Sequence, residues 1–161
     1  MSETILYVDD SMDDVMLFKA ACRAARVTFN VQAVKDGEEA LSYLGGLSPY
    51  SDREKYPMPS LVMLDLKMPR VSGFDVLEWL RNRSPSALQQ LPVIVFTSSI
   101  HEEDRRRALE LGANEYCVKP GRFKELLALS MAIEEALKNP KDWKIRIPSP
   151  APPSQAQAGR G

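Results

Sequence analysis

The stretch "YVDDSMDD", Tyr7 to Asp14, sets four acids into eight residues directly behind the apolar run "TILYV". A further acid, Asp65, closes the run "SLVMLD", and Lys119 follows the run "EYCV". Carboxylates held together repel, by roughly 4 kcal/mol for a pair about 4 Å apart at an effective dielectric near 20. Such a group calls for cations: Lys119 is one, and a hard divalent ion with oxygen ligands, most simply Mg²⁺, is the other. Consecutive residues leaving a strand point in opposite directions. Asp10 is therefore assigned to direct metal contact, Asp9 to contact through water, and Asp65 to a metal contact through one oxygen with the other kept as a nucleophile. A carboxylate can accept a phosphoryl group as an acyl phosphate, and a metal with Lys119 would neutralise the charge that develops. Taken alone, "DD" reads as an acid pair complementing a helix dipole. Asp65 changes that reading, because a lone acid ending an apolar strand is seldom structural unless paired. Asp13 and Asp14 are left to helix capping and the dipole.

These residues need elements to position them. Five short apolar runs, at 4–8, 29–34, 60–65, 92–97 and 115–118, predict strands, and helical patterns fall at 12–25, 37–44, 74–83, 102–111 and 122–138. Strand and helix alternating in this way imply an α/β fold with a parallel sheet covered on both faces. The functional crevice of such a sheet lies beyond the carboxyl ends of its strands. Asp9, Asp10, Asp65, Thr97 and Lys119 all fall there. Ser11 followed by Asp14 resembles a capping box, Asp36 is a predicted N-cap, and Gly112 stands where a left-handed residue ends a helix. The Gly- and Pro-bearing segment 45–59 is expected to be an exposed loop.

The chain has 161 residues, 44% hydrophobic and 27% charged, enough for one sizeable core. A net charge of −1 gives no whole-chain footprint for nucleic acid. No run approaches the roughly 20 apolar residues that span a bilayer, and the N-terminus lacks signal-peptide character, so a cytoplasmic protein is expected. Cys22 and Cys117 lack metal-ligand spacing and read as buried, reduced thiols. A single histidine, His101, precludes multi-His zinc sites and argues against a Ser/His/Asp triad. Glu102 and Glu103 stand four residues before Arg106 and Arg107, so the run Arg105, Arg106 and Arg107 is expected on a solvated helix with i,i+4 pairs. On the first helix Val15, Phe18 and Cys22 form the expected core face, with Leu17, Ala20, Ala21 and Ala24 turned partly outward. Trp143, Ile145 and Ile147 alternate, so 140–147 could add an extended arm to the domain or to a second copy. The Pro/Ser/Gln/Ala stretch 148–161 is expected to be disordered.

Together "YVDD", "LDLKMPRVSGFDVL", "VIVFTSS" and "GANEYCVKP" resemble the response-regulator receiver family of two-component signalling over about residues 3–139. The resemblance implies a flavodoxin-like, doubly wound five-stranded sheet in the order 2-1-3-4-5 with five helices, the receiver domain occupying 1–139. It implies a Mg²⁺-dependent phosphoacceptor, not an ordinary enzyme: Asp65 takes a phosphoryl group from a sensor histidine kinase. Asp9, Asp10 and the backbone carbonyl of Lys67 hold the metal with Asp65, Lys119 contacts the phosphoryl oxygens, and Thr97 and Tyr116 are the switch pair. The Lys119–Pro120 bond matches a position that is usually cis. Ser98 stands where a small Ala or Gly is common, and could alter water access and the phosphorylated lifetime. The stand-alone length and the "TSS" resemble small regulators paired with bacterial phytochrome kinases. The first helix is a candidate kinase-docking surface, and the face of the fourth helix, fifth strand and fifth helix a candidate homodimer surface. The alternative is a receiver-like binding module that works without phosphorylation.

Overall fold

The computed structural model describes residues 2–139. Its elements are β1 (Thr4–Val8), α1 (Met12–Ala25), β2 (Asn30–Val34), α2 (Gly37–Gly45), β3 (Leu61–Leu64), α3 (Gly73–Asn82), β4 (Val93–Thr97), α4 (Glu102–Glu110), β5 (Glu115–Val118) and α5 (Phe123–Lys138). The strands form one parallel sheet in the order β2-β1-β3-β4-β5. Every residue of β1, β3 and β4 is buried, as expected for central strands of a sheet covered on both faces.

Alternation along these strands divides the interior in two. Leu6, Val8, Val62, Leu64, Val93 and Val95 point to one face and pack under Ala40, Leu44, Val76, Leu77, Leu80 and Ala108 of α2, α3 and α4. Ile5, Tyr7, Leu61, Met63, Ile94 and Phe96 point to the other and meet Val15, Phe18, Leu126, Leu129 and Ile133 of α1 and α5. The order in which strands are added reverses at β1, since β2 lies on one side of it and β3 to β5 on the other. The carboxyl ends of β1 and β3 therefore open side by side. Among the described residues no helix is long and apolar enough to cross a membrane.

Caps fix where the helices begin and end. Asp36 accepts a hydrogen bond from the Glu39 N–H at 2.8 Å, and Ser72 and Asp75 make a reciprocal capping box on α3. Ser11 accepts from the Asp14 N–H at 3.3 Å, but only that half of the expected box forms, because the Ser11 N–H donates to Asp9. Gly112 has φ 107°, as the helix-ending role requires, and a Cβ there would press on the Arg81 side chain.

Several expectations are corrected. Ala21 is fully buried, because the α1–α5 contact wraps further round α1 than a three-residue stripe. Segment 45–59 is mostly exposed, as expected, and is also tied down at Tyr50 and Tyr56, which pack on Tyr43, while Arg53 donates to the carbonyls of Tyr43, Leu44 and Tyr56 and so closes the end of α2. Among the arginines of α4, Arg105 pairs with Glu102 at i,i+3 and Arg107 stacks 4.1 Å from the Phe74 ring centroid, so tertiary contact displaces the expected pattern. The Lys119–Pro120 bond is not cis; among the described residues the cis bond is Ser48–Pro49. Cys22 and Cys117 are free and buried, as expected, and burial pushes both thiols up to about 12. The arm expected over 140–147, with Trp143, and the tail expected over 148–161 lie outside the described residues.

Candidate functional site

Asp9 follows β1, Asp65 follows β3, Thr97 ends β4 and Lys119 follows β5, so backbone ladders deliver all four to one rim. The Asp65 N–H donates to the Val8 carbonyl at 3.0 Å and the Lys119 N–H to the Thr97 carbonyl at 2.7 Å, which fixes the strand ends as pairs. Gly73 lets α3 start against the same rim: a Cβ there would overlap the Asp65 carbonyl oxygen.

Asp9, 1% exposed, is a buried acid whose oxygens are all engaged. Oδ1 accepts from the Ser11 N–H at 2.9 Å, and Oδ2 accepts from the Tyr7 hydroxyl at 2.9 Å and lies 2.7 Å from Lys119 Nζ. Tyr7 is held by packing against Phe18 and Phe96, and burial together with the Asp9 charge pushes its phenol far up, so it stays a donor. Asp10 turns outward from its neighbour, as the strand geometry required. It is exposed, and among the described residues no side-chain hydrogen bond or ion pair occupies its carboxylate. One oxygen each of Asp9, Asp10 and Asp65 lie within 4.8 Å of one another.

Lys119 sits between the acids, its side chain 14% exposed. Its ammonium donates to Asp14 Oδ2 at 2.7 Å and Asp65 Oδ2 at 3.3 Å. Burial alone would depress it, but the bonds to Asp14 and Asp9 and the fields of Asp65 and Asp9 outweigh that and hold it above the usual lysine range. Asp65, 6% exposed, is pushed up by burial and by the Asp9 charge, against the pull of Lys119 and the Thr97 hydroxyl. Four carboxylates against one ammonium leave the rim strongly negative. Hard oxygen donors on a preformed, undercompensated rim are the donor set a divalent cation fits.

The sequence reading missed Asp14, which it assigned to capping. It also missed Tyr7, Ser99 and Asp104. The buried Ser99 hydroxyl donates to Asp104 Oδ2 at 2.6 Å, Asp104 pairs with Lys67 Nζ at 3.3 Å, and the Tyr116 hydroxyl donates to the Ser99 carbonyl at 3.0 Å. Tyr116 is thus half-buried and turned in against the loop after β4. Thr97 is fully buried, its Oγ1 accepting from the Ser99 N–H at 3.3 Å, whereas Ser98 is exposed. Lys67 lies two residues past Asp65, its side chain exposed and its N–H 3.4 Å from Asp65 Oδ1.

A five-stranded α/β sheet with an acid triad, a threonine and a lysine at its carboxyl rim defines a receiver, and comparison with known proteins agrees. Residues 5–130 match the family described as response regulator receiver domain, and this chain belongs to it. It is similar to the response regulator Rcp1 of Synechocystis, 31% identical over 132 residues that cover 82% of this chain and 86% of that protein. A structure of the Mn²⁺-bound form of Rcp1 matches with TM-score 0.70 at 30% identity, over 83% of this chain and 92% of that one. The phosphorylated cyanobacterial phytochrome response regulator RcpA matches with TM-score 0.76 at 30% identity, over 88% of this chain and 98% of that one. The bacteriophytochrome response regulator RtBRR matches with TM-score 0.68 at 34% identity, over 98% of this chain and 89% of that one.

Proposed function

We propose that this chain is a response regulator that accepts a phosphoryl group on Asp65 from a sensor histidine kinase of the phytochrome type. The observation that carries this reading is the meeting of Asp65 with Lys119 at 3.3 Å inside a rim that also holds Asp9 and Asp10. An oxygen of Asp65 forms the new bond to phosphorus as the bond from phosphorus to the donor's imidazole nitrogen breaks, and the imidazole leaves with that electron pair. Lys119 faces the developing charge and donates to the phosphoryl oxygens. Asp10, Asp65 and the Lys67 carbonyl would hold Mg²⁺, with Asp9 reaching it through water because its own oxygens already accept protein donors. When bound, that ion supplies Lewis-acid neutralisation of phosphoryl charge and keeps Asp65 ionised.

The buried Thr97 hydroxyl is near enough to Asp65 to turn toward a new phosphoryl group, and the hydroxyl of Tyr116 is tethered to the same loop at Ser99. Thr97 and Tyr116 therefore form the switch pair, with Ser98 open to solvent where it can tune water access. The receiver unit is residues 1–139. The α4–β5–α5 face, which exposes Leu109 and Val118, is the surface offered for self-association.

The test is incubation with Mg²⁺ and acetyl phosphate, followed by intact-mass measurement. The wild-type chain gains one phosphoryl group and Asp65→Asn gains none; equal labelling of Asp65→Asn overturns the reading, as does a wild-type chain that stays unlabelled.

A further inference from the structure

Asp14 stands outside the set of residues assigned to phosphoryl transfer, yet it holds Lys119 at 2.7 Å, as close as Asp9 does and closer than Asp65 at 3.3 Å. From this geometry we infer that Asp14 is a positioning residue, the resting anchor that holds the Lys119 ammonium on the α1 side and releases it when Asp65 carries a phosphoryl group. The inference rests on the proposed function above and names a control on that same site.

An ammonium has three N–H donors, and Lys119 has three carboxylates around it, those of Asp9, Asp14 and Asp65. A phosphoryl group turns the Asp65 carboxylate into an acyl phosphate whose terminal oxygens lie farther out, so the ammonium must shift to follow them and either the Asp9 or the Asp14 contact must stretch. Asp9 is fixed: its side chain is fully buried, and the Tyr7 hydroxyl and Ser11 N–H lock its orientation. Leaving it without the ammonium would strand a buried charge. The Asp14 side chain is 36% exposed, on the first turn of α1, and water can replace Lys119 there with little penalty. Asp14 is thus the contact that yields. It competes with the phosphoryl group for Lys119, and α1 feels the loss of that tie whenever the group arrives.

The test is a titration of the full chain with beryllofluoride, an equilibrium mimic of the phosphoryl group, at saturating Mg²⁺, with the bound form read by ¹⁹F NMR. Asp14→Asn removes the competing charge and tightens binding by about three- to fivefold, the range of a partly exposed ion pair. Asp14→Glu restores the carboxylate and returns the affinity toward wild type. In a Lys119→Gln background Asp14→Asn has no effect, since the contact acts through Lys119. A purely structural role at the start of α1 would move the melting temperature and leave these affinities equal.

Two results overturn the inference while leaving the proposed function standing. One is a wild-type chain that binds beryllofluoride with the same affinity as Asp14→Asn. The other is an Asp14→Asn effect of equal size with and without Lys119, which would mean simple repulsion of the anion. A wild-type chain that binds none overturns the proposed function and this inference with it.

Discussion

The ammonium of Lys119 and the carboxylate of Asp65 meet at 3.3 Å although 54 residues of chain separate them. Two parallel strands, β3 and β5, with β4 between them, bring the pair together. The contact is therefore a property of the sheet, and the consequences below follow from the charge that the sheet assembles at its rim.

Crowding of Asp10 against Asp9 and Asp65 opposes folding when no metal is present. Asp10→Asn should raise the melting temperature measured in EDTA by about 2–4 °C, and should lower the gain on adding Mg²⁺. Equal melting of the two chains in EDTA would contradict mutual repulsion as the dominant electrostatic feature of the rim.

Arg81 staples α3 to the far end of the sheet, donating to the carbonyls of Gly112 and Gln89 and to Asn114 Oδ1. Burial pulls its guanidinium below the usual arginine range, so these bonds carry a partly desolvated charge. Arg81→Ala should destabilise the chain by about 2–3 kcal/mol in urea unfolding. Arg81→Lys should recover only part of this, because one ammonium cannot reproduce the planar fork.

Glu134 of α5 accepts from both the N–H and the hydroxyl of Thr28, at 2.5 and 2.6 Å, and these bonds hold its carboxyl below the ordinary glutamate value of 4.5. A group lowered in the folded state contributes stability that is present above its unfolded value and lost as pH falls through its folded value. Wild type should therefore melt above Glu134→Gln at pH 7, and the gap should narrow progressively as pH falls below 4.5. A gap that stays constant over that fall would refute the linkage.

Much of this was legible before the fold was known. β1, β5 and α1 fall at the residues their patterns predict, because an apolar run between turn signals has few other ways to bury itself. The convergence of Asp9, Asp10, Asp65, Thr97 and Lys119 followed from the strand-end rule once the runs were read as parallel strands. What the sequence concealed were side-chain contacts across elements. Asp14 satisfies the local rules for a helix first turn whether or not it touches Lys119, so its local pattern carries no trace of the pair. The tie from Ser99 through Asp104 to Lys67 joins three segments in the same way. Arg107 obeys i,i+4 spacing but finds Phe74, since a desolvated ring face outcompetes an exposed ion pair.

The central claim is that acids from two distant segments share a single divalent ion. Calorimetric titration of the metal-free chain with Mg²⁺, or Mn²⁺ as a tighter probe, tests it most directly. The account predicts one ion per chain, with affinity reduced at least about tenfold by Asp10→Asn and by Asp65→Asn separately. Wild-type affinity in both variants would contradict it.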